Sequence, residues 1–191
     1  MRPITILLTA LIALAGCGDG ADSAGPPAQP PADPPVTASA GLSPQGRTVA
    51  GADVERVVDG DTIRVIVDGR EVTVRMIGID TPESVKPDSP VECFGPEASQ
   101  FARDRLSGAS VTLELDASQG STDQYGRTLA YVWVEGDDGS LALFNLAAVE
   151  AGYAVARQYG RTPFEWKDQF RAAEQRARSA GVGLWGACPR S

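Results

Sequence analysis

From Val54 onward the chain alternates apolar and polar residues at the two-residue period of a half-buried strand. Val54 to Val58 and Ile63 to Val67 read as two such strands. Asp68-Gly69 follows with residues that tolerate positive φ and marks a two-residue hairpin turn, after which Val72, Val74 and Met76 continue the alternation on a third strand. The period changes at Pro96. There a proline just inside a helix start precedes Ala98, Phe101 and Ala102 on one face, with the helix running through Leu106 and Gly108 lying past its end. Val111 to Leu115 and Leu129 to Val134 return to strand character. A second helix is predicted over about Leu141 to Ala151, ending before Gly152. A third begins at the capping box Thr162-Pro163-Phe164-Glu165 and stops at Gly181.

Three meandering strands, a helix and two more strands is the order of a five-stranded OB-type Greek-key barrel, here carrying three helices. The barrel domain is expected over residues 51–191. Ahead of it, residues 17–50 are rich in Pro, Gly and Ala and hold too little apolar surface to pack, so they read as a tether. Residues 1–16 have a positive start at Arg2 and an apolar run from Ile4 to Ala15. That run is too short to cross a hydrocarbon core of about 30 Å, which makes it a cleaved signal peptide rather than a membrane span.

Composition narrows the chemistry. The 191 residues contain no histidine, which excludes every mechanism that needs imidazole as base, acid or metal ligand. With three scattered cysteines and no histidine, a zinc site is not expected either. Acid–base work falls to carboxylates, Lys, Tyr or water. Two of the 17 Lys and Arg and three of the 25 Asp and Glu lie in residues 1–50, leaving 15 and 22 in the domain and a net charge of −7 there. The domain therefore lacks the general positive field that strengthens non-specific nucleic-acid binding.

The chemistry-bearing residues fall at strand ends. Asp61 closes the turn into the second strand, Asp80, Thr81 and Glu83 lie just past the third, and Arg75 sits within the run Val72 to Ile79. Three carboxylates so close together repel one another unless a hard cation sits among them, and oxygen-only ligands suit calcium or magnesium. A guanidinium inside a strand needs a partner, because burying an unpaired charge is expensive. Asp59 and Asp123 read first as turn formers, since Asp accepts backbone hydrogen bonds beside a glycine.

The run Asp59-Gly60-Asp61-Thr62, Arg75, Asp80-Thr81-Pro82-Glu83 and Asp123-Gln124-Tyr125-Gly126-Arg127 resembles the staphylococcal (micrococcal) nuclease, or thermonuclease, family. The spacing from Asp61 through Arg127 runs without a gap against the family pattern, and the likeness covers about residues 50 to 187. The resemblance implies that Asp61 and Asp80 bind calcium through their side chains and Thr81 through its backbone oxygen. It implies Glu83 as the carboxylate that activates water, Arg75 and Arg127 as phosphate clamps, and Tyr125 as a substrate-binding residue near the phosphate. The implied activity is calcium-dependent endonucleolysis of DNA and RNA by a monomer, leaving 3′-phosphates. A non-catalytic OB-fold nucleic-acid-binding lipoprotein is the alternative, although such a binder has no need for Glu83. The sequence departs from the pattern where a base-stacking tyrosine is expected: Gln158 occupies the ungapped position and Tyr159 stands one residue off. About five extra residues near Glu135 to Ser140 read as a longer turn.

Leu14-Ala15-Gly16-Cys17 resembles a bacterial lipobox, which implies cleavage before Cys17 and a lipid anchor holding the protein on the extracytoplasmic side of a membrane. An ordinary secretory peptide with an incidental cysteine is the alternative. For an exported chain the remaining pair, Cys93 and Cys188, is expected to form a disulfide, the alternative being two buried free thiols.

Overall fold

A computed structural model describes residues 42–84, 90–136 and 138–189. The signal peptide, Cys17 and most of the tether lie outside the described residues. In chain order the elements are β1 (Arg47–Asp59), β2 (Thr62–Val67), β3 (Arg70–Met76), β4 (Ile79–Asp80), α1 (Gly95–Leu106), β5 (Ser110–Leu115) and β6 (Thr128–Glu135). They are followed by β7 (Leu141–Leu143), α2 (Phe144–Glu150), β8 (Val155–Ala156), α3 (Lys167–Ala180) and the single turn α4 (Leu184–Ala187).

Strands β3, β2, β1, β5 and β6 are hydrogen-bonded in that order, each to the next in antiparallel fashion. The sheet closes where β6 pairs with β3 in parallel, through Val74 with Thr128, Arg75 with Leu129 and Met76 with Ala130. The product is a five-stranded mixed barrel of the OB type. Closure pairs β3 with the first part of β6 only, at Thr128 to Ala130, and leaves the later part of β6 an edge.

Two features of the sequence make closure possible. Val67 faces Arg70 across Asp68 and Gly69, whose φ values of 49° and 74° give the twist that a two-residue hairpin needs. The 13-residue β1 serves both neighbours by bending: its register shifts between Val49 and Ala52 against β5, and twice more against β2. β1 starts at Arg47, and Leu42 packs on the core, so the folded domain begins ahead of residue 51.

The barrel interior is filled by Ile63, Val65, Val74, Met76, Ala130 and Val132, which share one face of the sheet and are fully buried. The helices add an aromatic layer outside it. Phe101 of α1 meets Phe144 of α2 at 5.7 Å between ring centroids, Tyr131 meets Phe170 of α3 at 6.5 Å, and Trp133 meets Trp166 edge-on at 6.1 Å. Asn145 is 0% exposed and joins α2 to the barrel: its Oδ1 accepts the Val132 N–H at 2.9 Å and its Nδ2 donates to the Ile77 carbonyl at 2.9 Å.

Two helix starts differ from the sequence expectation. Leu141 to Leu143 form β7, not the first turn of a helix, because Leu141 and Leu143 fill the free edge of β6 opposite Glu135 and Trp133. Helix α2 therefore begins at Phe144. The expected capping box at Thr162 does not cap: α3 begins at Lys167, and its N-cap, Trp166, makes no side-chain capping bond. The Glu165 N–H donates instead to Asp116 Oδ2 at 3.0 Å, while the Thr162 and Pro163 carbonyls accept from Gln119 and Ser118. A distant buried carboxylate outcompetes the local threonine.

Cys93 and Cys188 are joined by a disulfide with Cα atoms 5.9 Å apart, across a sequence separation of 95 residues. Closing a loop of that length in the unfolded chain contributes up to about 4 to 5 kcal/mol in the chain-entropy picture. Asn145 offers a sharper test of the packing. Asn145→Ala leaves a buried N–H and a buried C=O without partners, each costing about 1 to 3 kcal/mol. Urea unfolding of this variant should show a loss of about 2 to 6 kcal/mol with an unchanged m value.

Candidate active site

The site is assembled at one rim of the barrel by three turns. In the first, Asp59 faces Thr62 across Gly60 and Asp61, and Asp59 Oδ1 accepts the Asp61 N–H at 3.1 Å. Gly60 presses on Thr81: a Cβ there would stand 2.8 to 2.9 Å from three Thr81 side-chain atoms. That close approach lets the Thr81 N–H donate to Asp61 Oδ2 at 3.0 Å. Thr62 adds a hydroxyl donated to Asp61 Oδ1 at 3.0 Å.

The second turn carries β3 into β4. Gly78, at φ 82°, lies against the Phe164 ring, and its carbonyl accepts the Arg157 N–H at 2.8 Å. β4 then pairs with β8, Ile79 opposite Ala156 and Asp80 opposite Val155, so the segment after β8 returns across the rim. Tyr159 is delivered to Asp80 by that return.

Arg75 is where these parts meet. Thr62 faces it across β2 and β3, and it is 9% exposed. Nη1 makes an ion pair with Asp61 Oδ2 that lacks hydrogen-bond angles, and it has no hydrogen-bond partner among the described residues. Nη2 donates to Asp80 Oδ1 at 3.1 Å and to Tyr159 Oη at 3.0 Å, while Tyr159 Oη donates to Asp80 Oδ1 at 2.8 Å. The guanidinium that the alternation left unexplained is buried between two carboxylates.

The third turn presents Arg127. Asp123 Oδ1 accepts the N–H groups of Tyr125 at 2.9 Å and of Arg127 at 3.0 Å, and Oδ2 takes the Arg127 Nε at 2.6 Å. Asp123 is thus a turn former, as its sequence context suggested, and it also grips the arginine side chain. Tyr125 is 74% exposed, with the Arg127 guanidinium 5.3 Å from its ring centroid. Glu83 lies beyond β4, its Oε1 accepting the Ser84 N–H at 3.1 Å.

Asp59, Asp61, Asp80, Glu83 and Asp123 line one cleft of about 950 Å³ together with Arg75 and Arg127, and Thr81, Tyr125 and Tyr159 share its wall. Every site residue expected from the sequence, apart from the lipid and disulfide cysteines, lines this cleft. Tyr159 was the residue whose place sequence reasoning missed. It is one position off the ungapped register, and only the β4–β8 pairing carries it to Asp80. Gln158 instead bonds locally to the Gly160 carbonyl.

Burial dominates the electrostatics. It pushes the Asp61 carboxyl up to about 7, against the pull of Arg75 and with help from Asp59. Arg75 pairs with Asp61, yet desolvation wins at the carboxyl. At Arg75 burial works against the charged form, but Asp61, Tyr159 and Asp80 outweigh it and raise the pKa above its usual value. Tyr159 is pushed up to about 12, by burial first and by its bond to Asp80. At Asp123 burial is outweighed by the Arg127 and Tyr125 donors, which hold the carboxyl below the usual range.

Five carboxylates against two guanidiniums leave the cleft formally at −3, an environment that repels phosphate and attracts a cation. Among the described residues no cluster of three or more His, Cys, Asp or Glu converges on one point. The donors at hand are the Asp61 and Asp80 carboxylates and the Thr81 backbone, all oxygen, with room for water in the cleft. That set fits a hard, oxygen-seeking cation and not zinc.

A closed OB-type barrel with five carboxylates and two arginines lining a cleft at one rim defines a class of acidic-cleft β-barrel proteins. Within that class the chain belongs to the staphylococcal nuclease family: the staphylococcal nuclease homologue family matches residues 73–187. It is 41% identical over 132 residues to a thermonuclease of Staphylococcus hyicus, covering 69% of this chain and 73% of that one. The thermonuclease of Staphylococcus intermedius is 40% identical over 132 residues, with 69% and 74% covered. The endonuclease YncB of Bacillus subtilis is 36% identical over the same length, with 69% of this chain and 60% of its own covered.

The approach of Gly60 to Thr81 can be tested directly. Gly60→Ala should push Thr81 off Asp61, destabilise by about 1 to 3 kcal/mol and shift the Thr81 amide resonance in an NMR spectrum. An unmoved Thr81 resonance in a fully stable variant would contradict the contact.

Proposed function

We propose that this chain is a calcium-dependent endonuclease that hydrolyses DNA and RNA with little sequence selectivity and leaves 3′-phosphates. The observation that carries the reading is the convergence of Glu83, Arg75 and Arg127 on the cleft that also holds Asp61 and Asp80. The names of the relatives support nuclease chemistry. A non-catalytic binder would have no use for this combination.

Asp61, Asp80 and the Thr81 backbone carbonyl would hold calcium together with water, and the bound ion would supply Lewis acidity. Glu83 orients the attacking water and takes its proton as the new bond to phosphorus forms. The bond from phosphorus to the 5′ oxygen breaks on the opposite side, that oxygen acquires a proton, and the phosphate stays on the 3′ side. Arg75 and Arg127 stabilise the charge that builds on the non-bridging oxygens. Arg75 is aimed by Asp61 and Asp80, and Arg127 by Asp123, so neither has to be ordered during the reaction. Tyr125, exposed beside Arg127, offers a ring face to the nucleic acid. Low sequence selectivity follows where phosphate and ring contacts do the recognition and base edges do not.

The domain works outside the cytoplasm in this reading, as a monomer tethered through lipid on Cys17. Support comes from the Leu14-Ala15-Gly16-Cys17 run and the proline-rich segment after it. Among the described residues no helix is long and apolar enough to cross a membrane.

Plasmid digestion by the purified protein should stop in excess chelator and return with calcium, and Glu83→Gln should lower kcat by at least about 10²-fold. Activity that persists in chelator, or an unimpaired Glu83→Gln protein, would remove the assignment. Arg75→Lys and Arg127→Lys keep the charge but lose the planar fork, and each should cost about tenfold or more in kcat/KM. If both cleave within about threefold of the parent, an effect below 1 kcal/mol, the clamp role is wrong.

A further inference from the structure

Glu83 owes its backbone position to a short segment ahead of α1. The Glu92 carboxylate accepts the Glu83 N–H at 3.0 Å, and the Glu92 N–H donates to the Glu83 carbonyl at 2.9 Å. Gly95, the first residue of α1, presses on the same carbonyl: a Cβ there would stand 2.5 Å from it. Between them Phe94 has φ 71°, a left-handed conformation that a bulky side chain adopts only where its surroundings impose it.

Those surroundings form a closed ring. On one side the Phe94 side chain packs on Tyr153 at 5.2 Å, and Tyr153 stacks on Phe101 at 4.2 Å. On the other side Cys93 is bonded to Cys188 at the end of α4, and the Leu184 N–H that begins α4 donates to the Gly152 carbonyl at 2.9 Å, next to Tyr153. The disulfide is the covalent clasp of this ring. Without it, Phe94 can relax toward ordinary negative φ, which rotates Glu92 and Gly95 away from the Glu83 backbone.

We propose that the Cys93–Cys188 disulfide is a positioning element for Glu83, acting through Glu92 and Gly95, so that turnover depends on a bond outside the cleft. The inference rests on the nuclease reading for the role of Glu83, whereas the backbone coupling stands without it. A displacement of about 1 Å in a catalytic group can cost up to about 10²-fold, so a modest slackening of this segment is enough.

The test compares the parent with Cys93→Ser/Cys188→Ser, Glu92→Ala and Glu92→Gln, each held well below its own melting temperature so that all are folded. Two quantities are read: kcat and KM on a short single-stranded oligodeoxynucleotide with calcium, and amide hydrogen exchange at Glu83 with β2 as the internal control. The double serine variant and Glu92→Ala should lose about tenfold or more in kcat with KM within about twofold. Exchange at Glu83 should rise about tenfold in both while β2 is unchanged. Glu92→Gln, whose amide oxygen still accepts the Glu83 N–H, should recover most of both. Unchanged exchange at Glu83 in the folded disulfide-free protein overturns the proposal, as does a loss that falls on KM. A parent that does not cleave, in variants whose exchange responds as expected, overturns the nuclease reading and leaves the positioning role standing.

Discussion

Arg75 brings a permanent charge into a strand whose neighbours are buried, and a charge so placed needs partners of opposite sign within contact. Asp61 and Asp80 supply them, one from the turn before β2 and one from β4, with Tyr159 bridging the second. Asp61 reaches Arg75 through the β2–β3 pairing, Asp80 through the turn into β4, and Tyr159 through the pairing of β4 with β8. Removing either carboxylate would leave the guanidinium undercompensated, at a cost that commonly reaches 3 to 5 kcal/mol for a buried pair in general. The site and the barrel rim are therefore one structure, since the ion pairs that aim the arginine also hold β4 against β3.

The same arrangement is how a domain of net charge −7 would act on a polyanion in the proposed function. Within the cleft, positive charge is held by two guanidiniums, Arg75 oriented by Asp61 and Asp80 and Arg127 by Asp123, among a surplus of acid. In the proposed function recognition would then rest on few, local contacts and not on a broad basic surface.

Outside the cleft, the covalent link between Cys93 and Cys188 joins the start of α1 to the C-terminal segment beside Gly152. It adds stability by shortening the unfolded chain's reach, and it closes the ring in which Phe94 is kept at positive φ. Stability and the placing of Glu83 are thereby coupled through a bond that touches no substrate.

Local pattern was enough to determine much of this protein. Strict alternation located β1, β2 and β3, Asp68-Gly69 their turn, Pro96 and Gly108 the limits of α1, and the spacing of Asp61, Arg75, Asp80, Glu83 and Arg127 named the residues that line the cleft. The strand, turn and helix signals are carried by residues a few positions apart, whose preferences survive in any fold, whereas the cleft residues, spread from Asp61 to Arg127, were named through the family resemblance. The start of α3, the strand β7 and the place of Tyr159 were not legible in that way. The first depends on Asp116 accepting a backbone N–H 49 residues away, the second on the edge that β6 leaves open, and the third on a hydrogen bond to Asp80 across 79 residues. A competition between a local cap and a distant carboxylate is decided by which acceptor is buried beside the donor, and burial exists only once the barrel has closed.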